Sequence, residues 1–540
     1  VNDLLWPNGA PPSNPASAWA TDLELTILSR ALALDSRHAP RVHDLLVALA
    51  PDVPTIHYRQ AILADLRASP TLQASLEAQL PALASLGAAG RNTLWSAETP
   101  LLEVARRLSE LDLYVSTVTA LREALSGERL HAEGWLTLRD ELDRIASDPL
   151  FARLAAELPA LKRPLEQLSS VTIGINLDAS LRPTGATLVS INDFRFAGQR
   201  DLLSRLFGGR AEGSPGLTPL RPANPETQDP FSLQLLRDLE RLVGDVAQSL
   251  ANGVAQFSRI SGGTLGSLRD GFAFYLGAAR LVERLRAAGL PLATPTLRPA
   301  EERHTELEAL YDVTLALQLL NQGRKANLVL NDAHLNGQGR VAILTGPNRG
   351  GKTTFTRAVG LAHVMAQAGL PVPARRAVVS PVDAIFTEFA AGEPQTVGMG
   401  RFDQEAQQLA AIFDRATPHS LILLNEPLSG TNPDEAFHVA RGVVVGFQHL
   451  GARTILATHL HALAREAPAI TAEMPAAPVV SLVASPSQSS EQGDGVQRSF
   501  RILPGPPTGE SRALEIARQH GLSLEQVTAR LRERGLLSEP

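Results

Sequence analysis

The sequence predicts a multidomain chain, with a mainly helical first part that carries a small β-containing insertion, followed by an α/β domain of the P-loop type. Three observations predict it. Apolar residues recur at steps of three or four through much of residues 21–168. The pattern switches to strict alternation at SVTIGINLD, residues 170–178. Residues 346–353 read GPNRGGKT, a GxxxxGK[ST] pattern set between an apolar run and a helix-like segment.

At 540 residues the chain is long enough for several domains. Aromatic residues make up only 4% of it, and abundant Leu and Ala favour long helices over strands. Cysteine is absent, which rules out disulfides and thiol catalysis and points to a reducing cytoplasm. No apolar run is long enough to span a bilayer, so no membrane association is expected. The first twenty residues lack a basic leader ahead of an apolar stretch and do not read as a signal peptide. A net charge of −6 argues against a surface coated in nucleic-acid-binding charge, but leaves room for a local basic groove.

Residues 1–20, rich in Pro, Asn and Ser, read as a loose tail. Residues 21–168 read as helical. Leu101, Val104, Leu108, Leu111, Val115, Val118, Leu121 and Leu125 lie on one helical stripe, as in a bundle with no chemistry of its own. Residues 169–231 comprise a β-hairpin and a Pro-rich linker. On the first strand Val171, Ile173, Ile175 and Leu177 share a face, and ATLVSIN returns after RPTG. Arg182, Arg195 and Arg200 belong to a modest basic excess here, which suits phosphate contact and an ordinary solvated surface equally well. Helical periodicity resumes over 232–300, and 301–540 forms the nucleotide-binding region, interrupted near its end by SPSQSSEQGDG.

In that region VAILT reads as the strand entering the loop and TTFTRAVGLAHVMAQAG as the helix leaving it. Gly346, Gly350 and Gly351 let the backbone curl, so that the N–H groups of the loop Gly346, Pro347, Asn348, Arg349, Gly350, Gly351, Lys352, Thr353 and Thr354 can face phosphate oxygens (Pro347 has none to give). The helix N-terminus adds positive dipole, Lys352 a full charge, and the Thr353 hydroxyl a ligand for Mg²⁺. ATP and Mg²⁺ are the ligands expected.

Downstream, SLILLNEPLSGTNPDEA carries a buried-strand run ending in Asn425 and Glu426. P-loop ATPases usually place Asp-Glu there: the Asp holds Mg²⁺ and the Glu orients the attacking water. Glu426 suits the second role. Asn425 offers an amide oxygen to the metal or its water shell, without charge, which predicts slow hydrolysis. A further strand, ARTILA, leads to His459, placed to sense or polarise a γ-phosphate. His461 reads as surface. LSGT at 428–431 looks like a transporter signature, but it follows the acidic strand instead of preceding it, so the transporter reading is disfavoured.

These motifs, in this order, resemble the MutS family of DNA mismatch-repair ATPases. TGPNRGGKTT resembles the family's TGPNMGGKST, LATHLHALA its FATHYxEL, and VPARRAVVSPVDAIFTEF its VPA…PxDxIFTR segment. SLILLNEPLSGTNPDEA resembles SLVLxDEIGRGTSTxDG, and the likeness runs over about 326–525. Upstream it is weaker: TIHYRQAILADL resembles a lever-domain helix, and the 170–192 hairpin sits where the family has its clamp. The resemblance implies an ABC-type ATPase domain behind a helical lever, with the clamp as an insertion in the lever. It implies a head-to-tail homodimer whose sites each take a signature loop from the partner copy, here Gly400 and Arg401. It also implies structured or branched duplex DNA as a ligand, repair proteins as partners, and a bacterial-type cytoplasmic location at the nucleoid.

The departures shape the expectation. Nothing in this sequence resembles the N-terminal mismatch-recognition domain, and no C-terminal nuclease module follows the ATPase region. Gly400 stands where the family has its signature Ser, followed by Arg401; Asn425 replaces Asp; and Leu328 takes the place of an adenine-stacking aromatic. The leading expectation is an ATP-gated homodimer that recognises DNA shape in repair or recombination. The alternatives are a mismatch-repair participant that relies on a partner for recognition, and a nucleotide-gated protein scaffold that does not bind DNA.

Overall fold

A computed structural model of the chain describes residues 3–7, 9, 18–89, 100–166, 170–180, 183–194, 244–258, 260, 262–389, 400–485, 499–507, 518, 520–534 and 536. Its contacts divide it into two compact units: Ala74–Arg129 with Thr137–Arg269, and Asn2–Gln73 with Leu130–Leu136 and Asp270–Pro540.

In the first unit, helices Pro100–Ser126, Pro149–Glu166 and Gly244–Ala255 enclose a core of Val104, Leu108, Leu111, Leu154, Leu158, Leu250, Val254 and Phe257. The stripe read from the sequence supplies the first three of these, as a 3.6-residue period requires. Proline opens two of the helices, where its missing N–H costs nothing, and the Asp148 carboxylate accepts from the Leu150 N–H at 2.7 Å. The bundle is cross-tied at its surface by Lys162 to Asp112, 2.7 Å. Strands β1 (Ser170–Leu177) and β2 (Pro183–Asn192) pair antiparallel, with register shifts after Thr172 and Asn176. Ile175, Leu177, Val189 and Phe194 are exposed on this hairpin.

The second unit contains β3 (Thr296–Leu297), β4 (Thr305–Leu310), β5 (Asn331–Leu335), β6 (Val341–Thr345), β7 (Arg376–Val379), β8 (Ile385–Phe389), β9 (Leu421–Asn425), β10 (Arg453–Ala457), β11 (Val479–Ala484) and β12 (Ile502–Pro504). They form a six-stranded sheet, β12-β11-β6-β10-β9-β8, and a four-stranded one, β3-β7-β4-β5. In the larger sheet β11, β6, β10, β9 and β8 run parallel, and only β12 is antiparallel. Every residue of β6, β9 and β10 is buried, which is why VAILT and LILL carry no alternation. One face packs against the helix Lys352–Gln367, so closely that a Cβ on Gly360 would lie 2.8 Å from Leu423 and from Leu23. The other face packs Ile343, Ile422, Leu424 and Leu456 against Val444, Phe447, Leu463 and Ile470. Arg453, fully buried at the start of β10, ties the two sheets. Its guanidinium donates to the carbonyls of His304, Ser380, Pro381 and His419. Burial pulls its pKa down to about 9.

The N-terminal residues depart from the loose tail expected over 1–20. Leu4 and Leu5 are buried, and Tyr275 Oη donates to Leu4 O at 2.8 Å. Arg59, wholly buried, donates to Leu5 O (2.8 Å) and to Gln367 O (3.0 Å), and its guanidinium lies 4.1 Å from the Trp6 ring centre. A short helix, Ala18–Asp22, then buries Trp19. The burial of Leu4, Leu5 and Trp19 outweighs the Pro-rich composition around them; most of that composition, residues 10–17, lies outside the described residues. The sequence boundary at 301 is likewise not where the units divide, since Asn2–Gln73 groups with the region from Asp270 onward.

Candidate nucleotide site

Three neighbouring parallel strands, β6, β10 and β9, end together, with Ala457 in register with both Leu344 and Asn425. Each delivers one motif from its carboxyl end, where open α/β sheets place their ligands. From β6 the chain turns at Gly346 (φ +140°), where a Cβ would lie 2.6 Å from that of Ala484. No other residue type fits that turn. Gly350 N–H donates to Pro347 O at 3.1 Å and closes the loop. Gly351 (φ +93°) caps the helix Lys352–Gln367 without a side-chain hydrogen bond to its first N–H groups. Asn348 and Arg349 are exposed, and Arg349 is left-handed at φ +59°.

Lys352 is buried, and its ammonium donates to Gly346 O (3.0 Å) and Pro347 O (3.3 Å). Burial lowers its pKa, and the Glu426 carboxylate 3.8 Å away opposes that shift. Thr353 Oγ1 donates to Asn425 Oδ1 at 3.0 Å. The hydroxyl and the amide oxygen thus sit side by side, as a shared hard cation requires. Glu426 is itself left-handed (φ +59°), and its N–H donates to Ala457 O at 2.7 Å. His459 Nε2 lies 2.7 Å from Glu426 Oε1 and 3.3 Å from Lys352 Nζ. One ring nitrogen cannot donate to the carboxylate and accept from the ammonium in the same tautomer; the shorter contact favours a proton on Nε2. His461, read as surface, is half-buried, and its Nδ1 lacks a hydrogen-bond partner.

A pocket of about 420 Å³ opens beside the loop and is lined by Arg349 to Phe355, Glu426, Leu315, Leu319, Leu328 and Phe500. Leu328 is therefore at this site, as its place in the sequence implies. Phe500 was not anticipated. It is 40% exposed and left-handed (φ +49°), and its ring comes within 3.5 Å of a Cβ built on Gly351. Asn331 is one tie to this segment: its side chain donates to Phe500 O and accepts from Ile502 N–H. No local pattern in the sequence signals this.

The loop Lys352, Thr353, Asn425, Glu426 and His459 are thus brought to one place. Gly400 and Arg401 open the helix Arg401–Arg415, with Gly400 as an N-cap residue whose side chain can offer no hydrogen bond. Arg182, Arg195 and Arg200 lie outside the described residues, as do residues 398 and 399.

A parallel sheet whose strand ends present a glycine loop, a polar–acidic pair and a histidine defines a P-loop domain. Residues 342–529 match the family described as MutS domain V, and residues 51–288 match the MutS2 N-terminal domain. Similar proteins include DNA mismatch repair protein MutS of Granulibacter bethesdensis, 40% identical over 145 residues, which is 27% of this chain and 16% of that protein. The protein of the same description from Chlorobium phaeovibrioides is 36% identical over 206 residues, 38% of this chain and 22% of its own length. DNA mismatch repair protein MutS 2 of Halobacterium salinarum is 36% identical over 217 residues, 40% of this chain and 24% of its own length. The aligned stretches span less than a quarter of these relatives. The chain belongs to the MutS family. No helix among the described residues is long and apolar enough to cross a membrane.

Proposed function

We propose that the chain is an ATP-dependent DNA-binding protein, a homodimeric clamp acting in DNA repair or recombination. The observation that carries this is the convergence of Lys352, the Thr353–Asn425 pair and the Glu426–His459 pair around one glycine loop. In this reading the loop N–H groups and the dipole of the helix Lys352–Gln367 hold the phosphates, and Lys352 releases Gly346 O and Pro347 O to meet them. Thr353 and Asn425 are the residues that would hold Mg²⁺, which when bound neutralises charge on the transferred phosphoryl group. Glu426 orients the attacking water, and His459 holds the carboxylate in place. Asn425 leaves the metal site one negative charge short, so hydrolysis is slow. Gly400, at the start of the helix Arg401–Arg415, faces the partner copy's nucleotide, and structured or branched duplex DNA is the ligand whose binding the nucleotide gates. Repair partner proteins and a nucleoid location follow from the same reading.

One observation favours a second reading, a nucleotide-gated scaffold for another protein. The exposed residues of the β1–β2 hairpin include Ile175, Leu177, Val189 and Phe194, apolar where a DNA contact calls for charge. Binding to homoduplex, mismatched and branched DNA, with and without ATP, over a salt series separates the two. A clamp gives ATP-sensitive binding that weakens steeply with salt, and replacing Arg182, Arg195 and Arg200 together with Ala flattens the slope. Salt-independent binding, or none, leaves the scaffold.

A further inference from the structure

The loop that carries Glu426 is strained, and it is held by the helix Arg401–Arg415. Both Glu426 and Leu428 have left-handed backbones, at φ +59° and +62°. Non-glycine residues adopt this region rarely, and two within three residues persist only where surrounding contacts over-determine them. Leu428 is anchored by burial in the core of the larger sheet. The next two residues are anchored by one buried carboxylate. Glu405 Oε1 accepts from Ser429 Oγ at 3.2 Å, and Oε2 from Gly430 N–H at 3.3 Å. Arg401, one helical turn before Glu405, closes the ring: Nε donates to Glu405 Oε1 (3.0 Å) and Nη2 to Ser429 Oγ (2.7 Å). The loop meets the helix backbone to backbone, since a Cβ on Gly430 would lie 2.9 Å from Phe402 N.

We propose that Glu405 and Arg401 are positioning residues for Glu426 of their own chain. This rests on the reading of Glu426 as the water-orienting base. It gives Arg401 a role other than the one its place in the sequence implies: its guanidinium fastens Ser429 in cis and does not stand free to meet a phosphate of the partner copy. Ser429 lies three residues from Glu426, which on its other side follows directly from β9, with its N–H bonded to Ala457 O and its carboxylate against His459. Loosening Ser429 and Gly430 lets φ of Leu428 and Glu426 relax, and the carboxylate leaves the line of attack. A displacement of about 1 Å in a reacting group costs on the order of 100-fold in rate.

The test separates turnover from binding. Glu405→Ala and Ser429→Ala should lower kcat for ATP hydrolysis about tenfold or more while leaving the dissociation constant for ATP unchanged, because neither residue lines the nucleotide pocket. Glu405→Gln, which keeps an acceptor for Ser429 or Gly430, should fall between the parent and Glu405→Ala. Unchanged kcat in Glu405→Ala overturns the proposal. A parent that binds ATP without Glu426-dependent hydrolysis overturns the underlying reading instead. The cis assignment is decided by a mixed dimer of one Lys352→Ala copy and one Arg401→Ala copy, separately tagged and purified through both tags. The only competent loop then sits in the Arg401→Ala chain, facing an intact Arg401 on its neighbour. Loss of turnover supports action in cis, and parental turnover at that site overturns it.

Discussion

Glu388 sits on β8 with 5% of its surface exposed, and neither carboxylate oxygen has a hydrogen-bond partner. Burial, with Glu405 and Asp22 adding like charge, pushes its pKa up to about 8 from an ordinary value of 4.5. Asp22 is itself raised by burial, although Thr387 donates to it at 2.5 Å. A carboxyl raised in this way binds more protons folded than unfolded between about pH 4.5 and about pH 8. Stability therefore falls as pH rises through that window, and the loss is complete above it. At 1.36 kcal/mol per pH unit, a shift of about 3.5 units sets a ceiling of about 5 kcal/mol. Local opening that admits water lowers that figure, and about 2 to 3 kcal/mol still moves a melting temperature by several degrees. Glu388→Gln keeps the shape and removes the ionisation. Thermal melts of parent and variant should nearly coincide at pH 5, with the variant melting several degrees higher at pH 9. An equal difference at both pH values, or a parent that is the more stable at pH 9, refutes the reasoning.

Lys352→Ala removes a buried ammonium that makes charge-assisted contacts, so ATP binding in equilibrium dialysis should weaken by about 10- to 100-fold; undiminished affinity means the loop is not a phosphate site. Glu426→Gln should nearly abolish phosphate release and accumulate an ATP-bound dimer, whereas Asn425→Asp should leave turnover unchanged or raise it with tighter apparent Mg²⁺ binding. Release that persists in Glu426→Gln at saturating Mg²⁺ removes Glu426 from the mechanism. Gly277→Ala would bring a Cβ within 1.7 Å of Leu32 O, where two helices cross backbone to backbone. It should cost about 1 to 3 kcal/mol or more in denaturant unfolding, while Gly442→Ala, in a helix with open space around it, should be neutral or mildly stabilising.

The glycine loop, the Asn425–Glu426 strand end and His459, which the fold brings together, could be picked out in the chain because each lies in a contiguous run with its own local spacing. The glycines, the Lys-Thr pair and the apolar strands bear their meaning within a few residues, and parallel strands bring their carboxyl ends together once the sheet forms. The helical stripe of 101–125 was legible for the same reason, since a period of 3.6 records which face is buried, while the alternation of 170–178 marked the strand but not its burial, because Ile175 and Leu177 on its apolar face are exposed. Composition misread the N-terminus, because the burial of Leu4 and Leu5 depends on Tyr275 and Arg59, residues far away in sequence. Nothing local distinguishes Glu388 from an exposed glutamate or Arg401 from a free one: the first is set by what packs over β8, the second by Ser429 and Glu405 meeting across a loop. Phe500 is held at the pocket beside the glycine loop by ties to distant segments, among them Asn331, on a strand 169 residues earlier. Such pairings arise from packing between distant segments, and a side chain's charge state and reach follow from the neighbours that packing supplies.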